Sequence, residues 1–279
     1  MNSGHYLGMQ PGDLDDKPYA KYWKPTMGPL QSHVNEALLH GEEAGALGFT
    51  LCEAKQLLLP GHLALENGFT TLPDGKIFVA VRTDMPRVTG AMFEWWMGWH
   101  YMEHQRYKLW HPRAHIANGT HQMQGDNPQL SDREKYLTTH YITEYVGNRR
   151  EDLTIAFSEP AILFAGKSRW ADNGITAMFY GRVGLQRAPI TIGHLLHQIR
   201  ATPGGSEMRS RFWLGKPQFN ALNPRNPINR ILGSNAVSAH FAGAHLGRDM
   251  LVHCGMEMHH LAQFLPELYQ DYHHAGERL

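Results

Sequence analysis

Apolar and polar positions change their period along this chain. K-I-F-V-A-V-R-T, from Lys76, alternates as a strand does. Beyond Pro112 come Y-L-T-T-H-Y-I-T-E-Y-V, D-L-T-I-A-F, I-T-A-M-F-Y-G-R-V, I-T-I-G-H-L-L-H-Q-I-R and E-M-R-S-R-F-W-L-G. These runs are short, β-rich and separated by Gly, Pro, Asn and Asp, which predicts an antiparallel sheet. S-H-V-N-E-A-L-L-H-G-E-E-A-G-A-L, from Ser32, predicts a capped helix, C-E-A-K-Q-L-L-L-P ends at Pro60, and Met92 to Trp110 predicts a helix stopped by Pro112. A long helix closes the chain, roughly Ala236 to Tyr272, bent or broken near Pro266. Residues 1–30 have no period and read as an irregular arm. The layout is α+β: an N-terminal arm and helical region over 1–75, then a domain over 76–279. In that domain a curved antiparallel sheet wraps a long C-terminal helix, with a cavity between them.

Composition narrows the function classes. The 279 residues carry 26 basic and 26 acidic side chains, so no net field draws the chain to nucleic acid or to an anionic membrane. No apolar run approaches the roughly 20 residues that span a bilayer. The N-terminus lacks a basic start and an apolar core, so a cytoplasmic protein is expected. Cys52 and Cys254 have neither disulfide-framework nor zinc-ribbon spacing. The 19 histidines are the outlier, and they supply metal ligands or proton shuttles.

Several constellations compete for that chemistry. H-Y-M-E-H, His100 to His104, has the form H-x-x-E-H of the inverted zinc peptidases, with Glu103 as base. Its surroundings, Trp95, Trp96, Trp99 and Trp110, read as a packing element instead. His253 and Glu257, in H-C-G-M-E, are four apart on the last helix, so both reach one ion or simply hydrogen-bond each other. His111, His115, Asn118 and His121 fall in what reads as a loop. Glu144 shares a strand face with Ile142 and His140. His194 and His197 are three apart on a strand and point to opposite faces, so at most one enters the cavity. Tyr107 is a core aromatic or a cavity acid. No nucleophile elbow, phosphate loop or dinucleotide fingerprint is present.

The string W-W-M-G-W-H…R-Y-K-L-W-H-P-R-A-H, followed by T-E-Y-V-G, L-L-H-Q-I-R, R-S-R-F-W-L-G and H-C-G-M-E, resembles the diacetylphloroglucinol hydrolase and phloretin hydrolase family over roughly Lys76 to Phe264. The resemblance implies a helix-grip fold like that of the major birch-pollen allergen, Bet v 1. It also implies a zinc-dependent hydrolase that cleaves the carbon–carbon bond between an acyl group and a polyhydroxylated ring. Carried over by motif, His115, Glu144, His253 and Glu257 would hold one Zn2+ per chain. Tyr107 and Asn118 match substrate-contacting positions, and His197 matches a histidine beside the metal. Phe212 stands where some members of the family have tyrosine, which bears on the choice of substrate.

The expected reaction is attack of metal-activated water on the ketone carbon, with His197 as general base. Flanking phenols make the ring carbon a feasible leaving group, and Tyr107 and Asn118 would hold the phenolic oxygens. The expected partner is a small acylated polyphenol, and the N-terminal helical region could support a homodimer. The rival readings are a non-catalytic binder of hydrophobic aromatic ligands, a non-haem iron oxygenase, and the peptidase.

Overall fold

The computed structural model describes residues 8–164, 171–220, 223, 226–234 and 244–273. Eight strands form one antiparallel sheet: β1 (Gly68–Thr71), β2 (Ile77–Pro86), β3 (His115–Thr120), β4 (Thr139–Val146), β5 (Arg149–Ser158), β6 (Ile175–Leu185), β7 (Ala188–Thr202) and β8 (Gly205–Phe219). Their spatial order is β1-β2-β8-β7-β6-β5-β4-β3. Each strand from β4 to β8 pairs antiparallel with the next in the chain, so the antiparallel sheet read from the β-rich runs is present, and β8 then lies beside β2. The β4–β5 turn needs Gly147 at φ 62°, the positive φ of a two-residue hairpin turn. A Cβ there would also meet the carboxylate of Asp249.

The helices are α1 (Ser32–His40), α2 (Gly90–Trp99), α3 (His104–Trp110), α4 (Asp132–Tyr136), α5 (Pro227–Leu232), α6 (Ala244–Ala262) and α7 (Leu265–Tyr272). The chain is therefore α+β. The helix expected from Ser32 is α1, though its N-cap is Gln31 and makes no side-chain cap. The break near Pro266 is real: the closing helix stops at Ala262 and α7 restarts with Pro266 in its first turn. The expected start at Ala236 lies outside the described residues.

The helix expected over Met92–Trp110 is instead two helices joined by a 3-10 turn at His100–Met102 and an extended Glu103. The apolar pattern hides the break because both pieces bury tryptophans. Glu103 leaves the helix to meet Lys17, at 2.5 Å, and Tyr19, at 2.9 Å. The segment read as a loop, His115–Thr120, is edge strand β3, paired with β4.

Two cores sandwich the sheet. On one face α6 lies across β1 and β2, and its Leu251, Cys254, Met258 and Leu261 are fully buried with Val79, Phe179 and Phe212. On the other, the 3-10 helix Leu51–Leu58 and its flanks cover Phe78, Met178, Leu196 and Trp213. Central strands are apolar on both faces for that reason. Glu66, from the same cover, accepts from buried Arg209 and Arg211 of β8. Strand β1 likewise comes from the segment read as the N-terminal region. Both cysteines are free, and among the described residues no helix is long and apolar enough to cross a membrane.

Candidate metal centre and its cavity

Between α6 and the sheet lies a cavity that opens to solvent. Exposed Arg149 and partly exposed Leu185, Ile192, Leu246 and Met250 mark the mouth. Buried His100, Trp110, Asn118 and His140 line the inner end. Glu144, His253 and Glu257 line the same cavity.

Three elements bring the donors together. His115 opens β3, where a bulge between His115 and Ala117 leaves it opposite Glu144 of β4. His253 and Glu257 project from one face of α6, as their i, i+4 spacing requires. His115 Nε2 lies 3.3 Å from Glu257 Oε2 and 3.6 Å from Glu144 Oε2. His253 Nε2 lies 3.7 Å from Glu257 Oε2 and 4.0 Å from Glu144 Oε1. His115, His253 and Glu257 each turn a donor atom within 4.8 Å of the others, and all are buried.

The proton positions suit a cation. His115 Nδ1 faces the carbonyl of Tyr107 at 3.0 Å, so it carries the proton and donates. The lone pair of Nε2 is left facing carboxylate oxygens, and this buried atom has no hydrogen-bond partner among the described residues. Burial holds His115 down at about 3, so its second nitrogen stays unprotonated. Burial, with Glu144 adding to it and His253 opposing, lifts the Glu257 carboxyl to about 8. Two imidazoles and two carboxylates would neutralise a divalent ion and pair every one of these groups. The donor set fits the metal that the motifs imply.

Tyr107 donates its hydroxyl to Glu144 Oε2, and its ring stacks on His115 at 3.8 Å and 6°. Its proton therefore serves a carboxylate donor, and a carboxylate held this way keeps its other oxygen for the cluster. His197 and Phe212 both line the cavity and meet edge to face at 5.7 Å. His197 Nδ1 pairs with Ser210 Oγ at 2.7 Å, leaving Nε2 for the cavity. Burial lowers His197 to about 4, so it is a neutral imidazole at physiological pH. His194 points the other way, to the Tyr180 hydroxyl at 2.8 Å.

The peptidase reading fails on geometry. Glu103 sits outside, paired with Lys17 and Arg106. His100 donates from Nδ1 to the Trp96 carbonyl at 2.8 Å, and its Nε2 meets the Asn118 amide at 2.9 Å. His104 contacts the Asn118 backbone. Neither histidine belongs to the donor cluster. His111 stacks on His253 at 4.9 Å, and His121 packs on Tyr141 at 4.5 Å. Sequence reasoning placed His140 on the face of Glu144 and gave it no role, yet it lines the inner end beside His100 and Asn118.

Comparison with known proteins identifies relatives of the chain. A family model described as "DAPG hydrolase PhiG domain" matches residues 49–270. A 2,4-diacetylphloroglucinol hydrolase of a Pseudomonas species is 31% identical over 92% of this chain and 89% of its own. The enzyme of the same name from Pseudomonas protegens is 30% identical over 92% and 85%. A phloretin hydrolase of Eubacterium ramulus is 26% identical over 91% and 89%. A chain matched over this span belongs to the DAPG hydrolase family.

Proposed function

We propose that this protein is a metal-dependent hydrolase that cleaves the bond between an acyl group and a polyhydroxylated aromatic ring. The observation that carries the reading is Nε2 of His115, which has no hydrogen-bond partner among the described residues and faces Glu257 and Glu144, two carboxylates that line a largely apolar cavity. Family membership supports the reaction class, and the helix α6 laid across a curved sheet supports a helix-grip fold of the Bet v 1 kind.

His115, His253, Glu257 and Glu144 would hold one divalent ion, with zinc favoured by the mixed nitrogen and oxygen donors. When bound, such an ion supplies Lewis acidity and lowers the pKa of its water. Tyr107 holds Glu144 in place. His197 takes a proton at Nε2 and returns it to the ring carbon. The bond from ring carbon to carbonyl carbon breaks with its electron pair going to the ring, made acceptable there by the keto tautomer of a flanking phenol. Water supplies the carboxyl oxygen, and the products are a carboxylic acid and the deacylated ring. Phe212 and the aliphatic wall exclude bulk water.

The test is incubation of the metal-loaded protein with an acylated trihydroxybenzene under nitrogen, then in air with an oxygen electrode. Equimolar acid and deacylated ring without oxygen uptake is expected. Oxygen consumption would establish the oxygenase instead, and tight binding without turnover the carrier. If the fully O-methylated ketone reacted as fast as the free phenol, the cleavage chemistry would be wrong.

A further inference from the structure

Helix α3 is only seven residues long, too short to hold a direction by its own hydrogen bonds. The donor cluster nevertheless takes its orientation from it. The Tyr107 carbonyl accepts from His115 Nδ1 at 3.0 Å, and the Tyr107 hydroxyl donates to Glu144. One residue of α3 thus sets a donor on β3 and another on β4. A shift of this helix would spread both away from His253 and Glu257, so contacts outside the cluster must keep it still.

The N-terminal arm supplies those contacts at both ends of α3. At its N-cap, Glu103 Oε2 accepts from Lys17 Nζ at 2.5 Å and from the Tyr19 hydroxyl at 2.9 Å. The backbone carbonyl of the same Glu103 accepts from the Tyr107 N–H at 3.3 Å, so the anchored residue is bonded directly to the one that orients the donors. Toward the other end, Lys108 Nζ donates to Asp13 Oδ2 at 2.7 Å. Lys108 follows Tyr107 in the chain and is only 8% exposed, and a buried ammonium that loses its carboxylate must move or draw in water. The arm is itself well seated. The Asp13 carboxylate accepts from the Gln10 N–H at 2.8 Å, and the buried Tyr19 ring meets Trp99 edge to face at 5.4 Å.

We propose that Asp13, Lys17 and Tyr19 of the N-terminal arm are positioning residues of the donor cluster, acting through Lys108 and Glu103 on α3 and through Tyr107 on His115 and Glu144. The inference rests on reading the cluster as a metal site, and it adds a part of the chain that touches neither the donors nor the cavity. It also gives the glutamate of H-Y-M-E-H a task other than that of a peptidase base. Glu103 is the post to which the arm ties α3.

The test is titration of the full chain with Co2+ against a competing chelator, well below the unfolding temperature. Lys17→Met and Asp13→Ala together should weaken Co2+ binding about tenfold, the low end for contacts that orient metal ligands. Asp13→Glu, which restores a carboxylate for Lys108, should bind within about twofold of the parent. Lys21→Met loses an arm bond to Asp271 of α7, at 2.5 Å, and should keep the parent's affinity. An arm that merely stabilised the fold would not separate these variants. Parent affinity in the folded double variant overturns the proposal, and so does an equal loss in Lys21→Met. If the variants do not fold, the wild-type protein decides, because linkage is reciprocal. Co2+ should slow hydrogen exchange several-fold at the Tyr22 and Trp23 amides, which bond the Tyr19 and Ala20 carbonyls at 3.0 Å, and unchanged rates overturn the proposal. Wild-type Co2+ binding matched by the double variant would refute the arm's role alone. The expected loss of affinity in a protein that hydrolyses no acylated polyhydroxyarene would refute the proposed reaction alone. No Co2+ bound by any form would refute the metal reading and this inference with it.

Discussion

Replacing His197 by Ala removes an imidazole that lines the cavity and leaves the proposed metal donors untouched. General bases contribute about 10²–10⁴-fold. A histidine held down at about 4 by burial is a weaker base than one near 7, so the loss belongs at the low end, about 10²-fold in kcat or about 2.7 kcal/mol. The base works in its neutral form, so wild-type activity should fall only as pH drops through about 4, and no His197 limb should appear near neutrality. Ser210→Ala removes the partner of Nδ1 and should cost several-fold, the worth of a hydrogen bond of about 0.5–1.5 kcal/mol. His194→Ala loses only a bond to Tyr180 on the opposite face and should stay within a few-fold of the parent. The assay is kcat against pH for an acylated trihydroxybenzene, with metal content measured on each variant. Equal and mild losses in His197→Ala and His194→Ala would refute the assignment.

His253→Ala should abolish bound metal by elemental analysis, while His104→Ala, which contacts only the backbone of Asn118, should keep full stoichiometry. Phe212→Tyr introduces a hydroxyl on the cavity wall and should shift selectivity toward substrates with one more polar group, by about 0.5–1.5 kcal/mol across a substrate panel. Glu66→Ala leaves buried Arg209 and Arg211 unpaired and should cost about 3–5 kcal/mol in denaturant unfolding. Burial pushes the Glu66 carboxyl up, but Arg211 and Arg209 prevail and hold it at about 2, against 4.5 unperturbed. Its stabilisation is therefore present above about pH 4.5 and lost as pH falls through about 2, so the gap between wild type and Glu66→Gln should close over that window.

Alternation located β2, and β-rich runs between turn residues located β4 to β8, because each is long and packs at least one apolar face. It put Glu144 with Ile142 and His140 correctly, since a period of two needs no tertiary knowledge. Helical spacing likewise brought His253 and Glu257 together. Strand β3 was not legible: H-I-A-N-G-T is polar, sits at an edge, and is a strand only because β4 pairs with it. The break at Glu103 depends on Lys17 and Tyr19, more than eighty residues away, which no local window contains. The short β1 and the outer core at Phe49 and Leu65 were hidden for the same reason. Family motifs named His115 as a donor, whereas its lone pair toward Glu257 needed the Tyr107 carbonyl to be seen.

The order of the strands gives the donor cluster a mechanical meaning. β3 is the last strand at one edge, paired within the sheet only with β4, while α6 packs on β1 and β2 at the other. An ion shared by His115 and His253 would tie the far edge to that helix and close a loop of well over a hundred residues. By the entropy of loop closure, such a tie is worth up to about 5 kcal/mol against the unfolded chain. The same contact that prepares the chemistry would then act as a clasp on the curl of the sheet, and the width of the mouth would be set by the grip on β3.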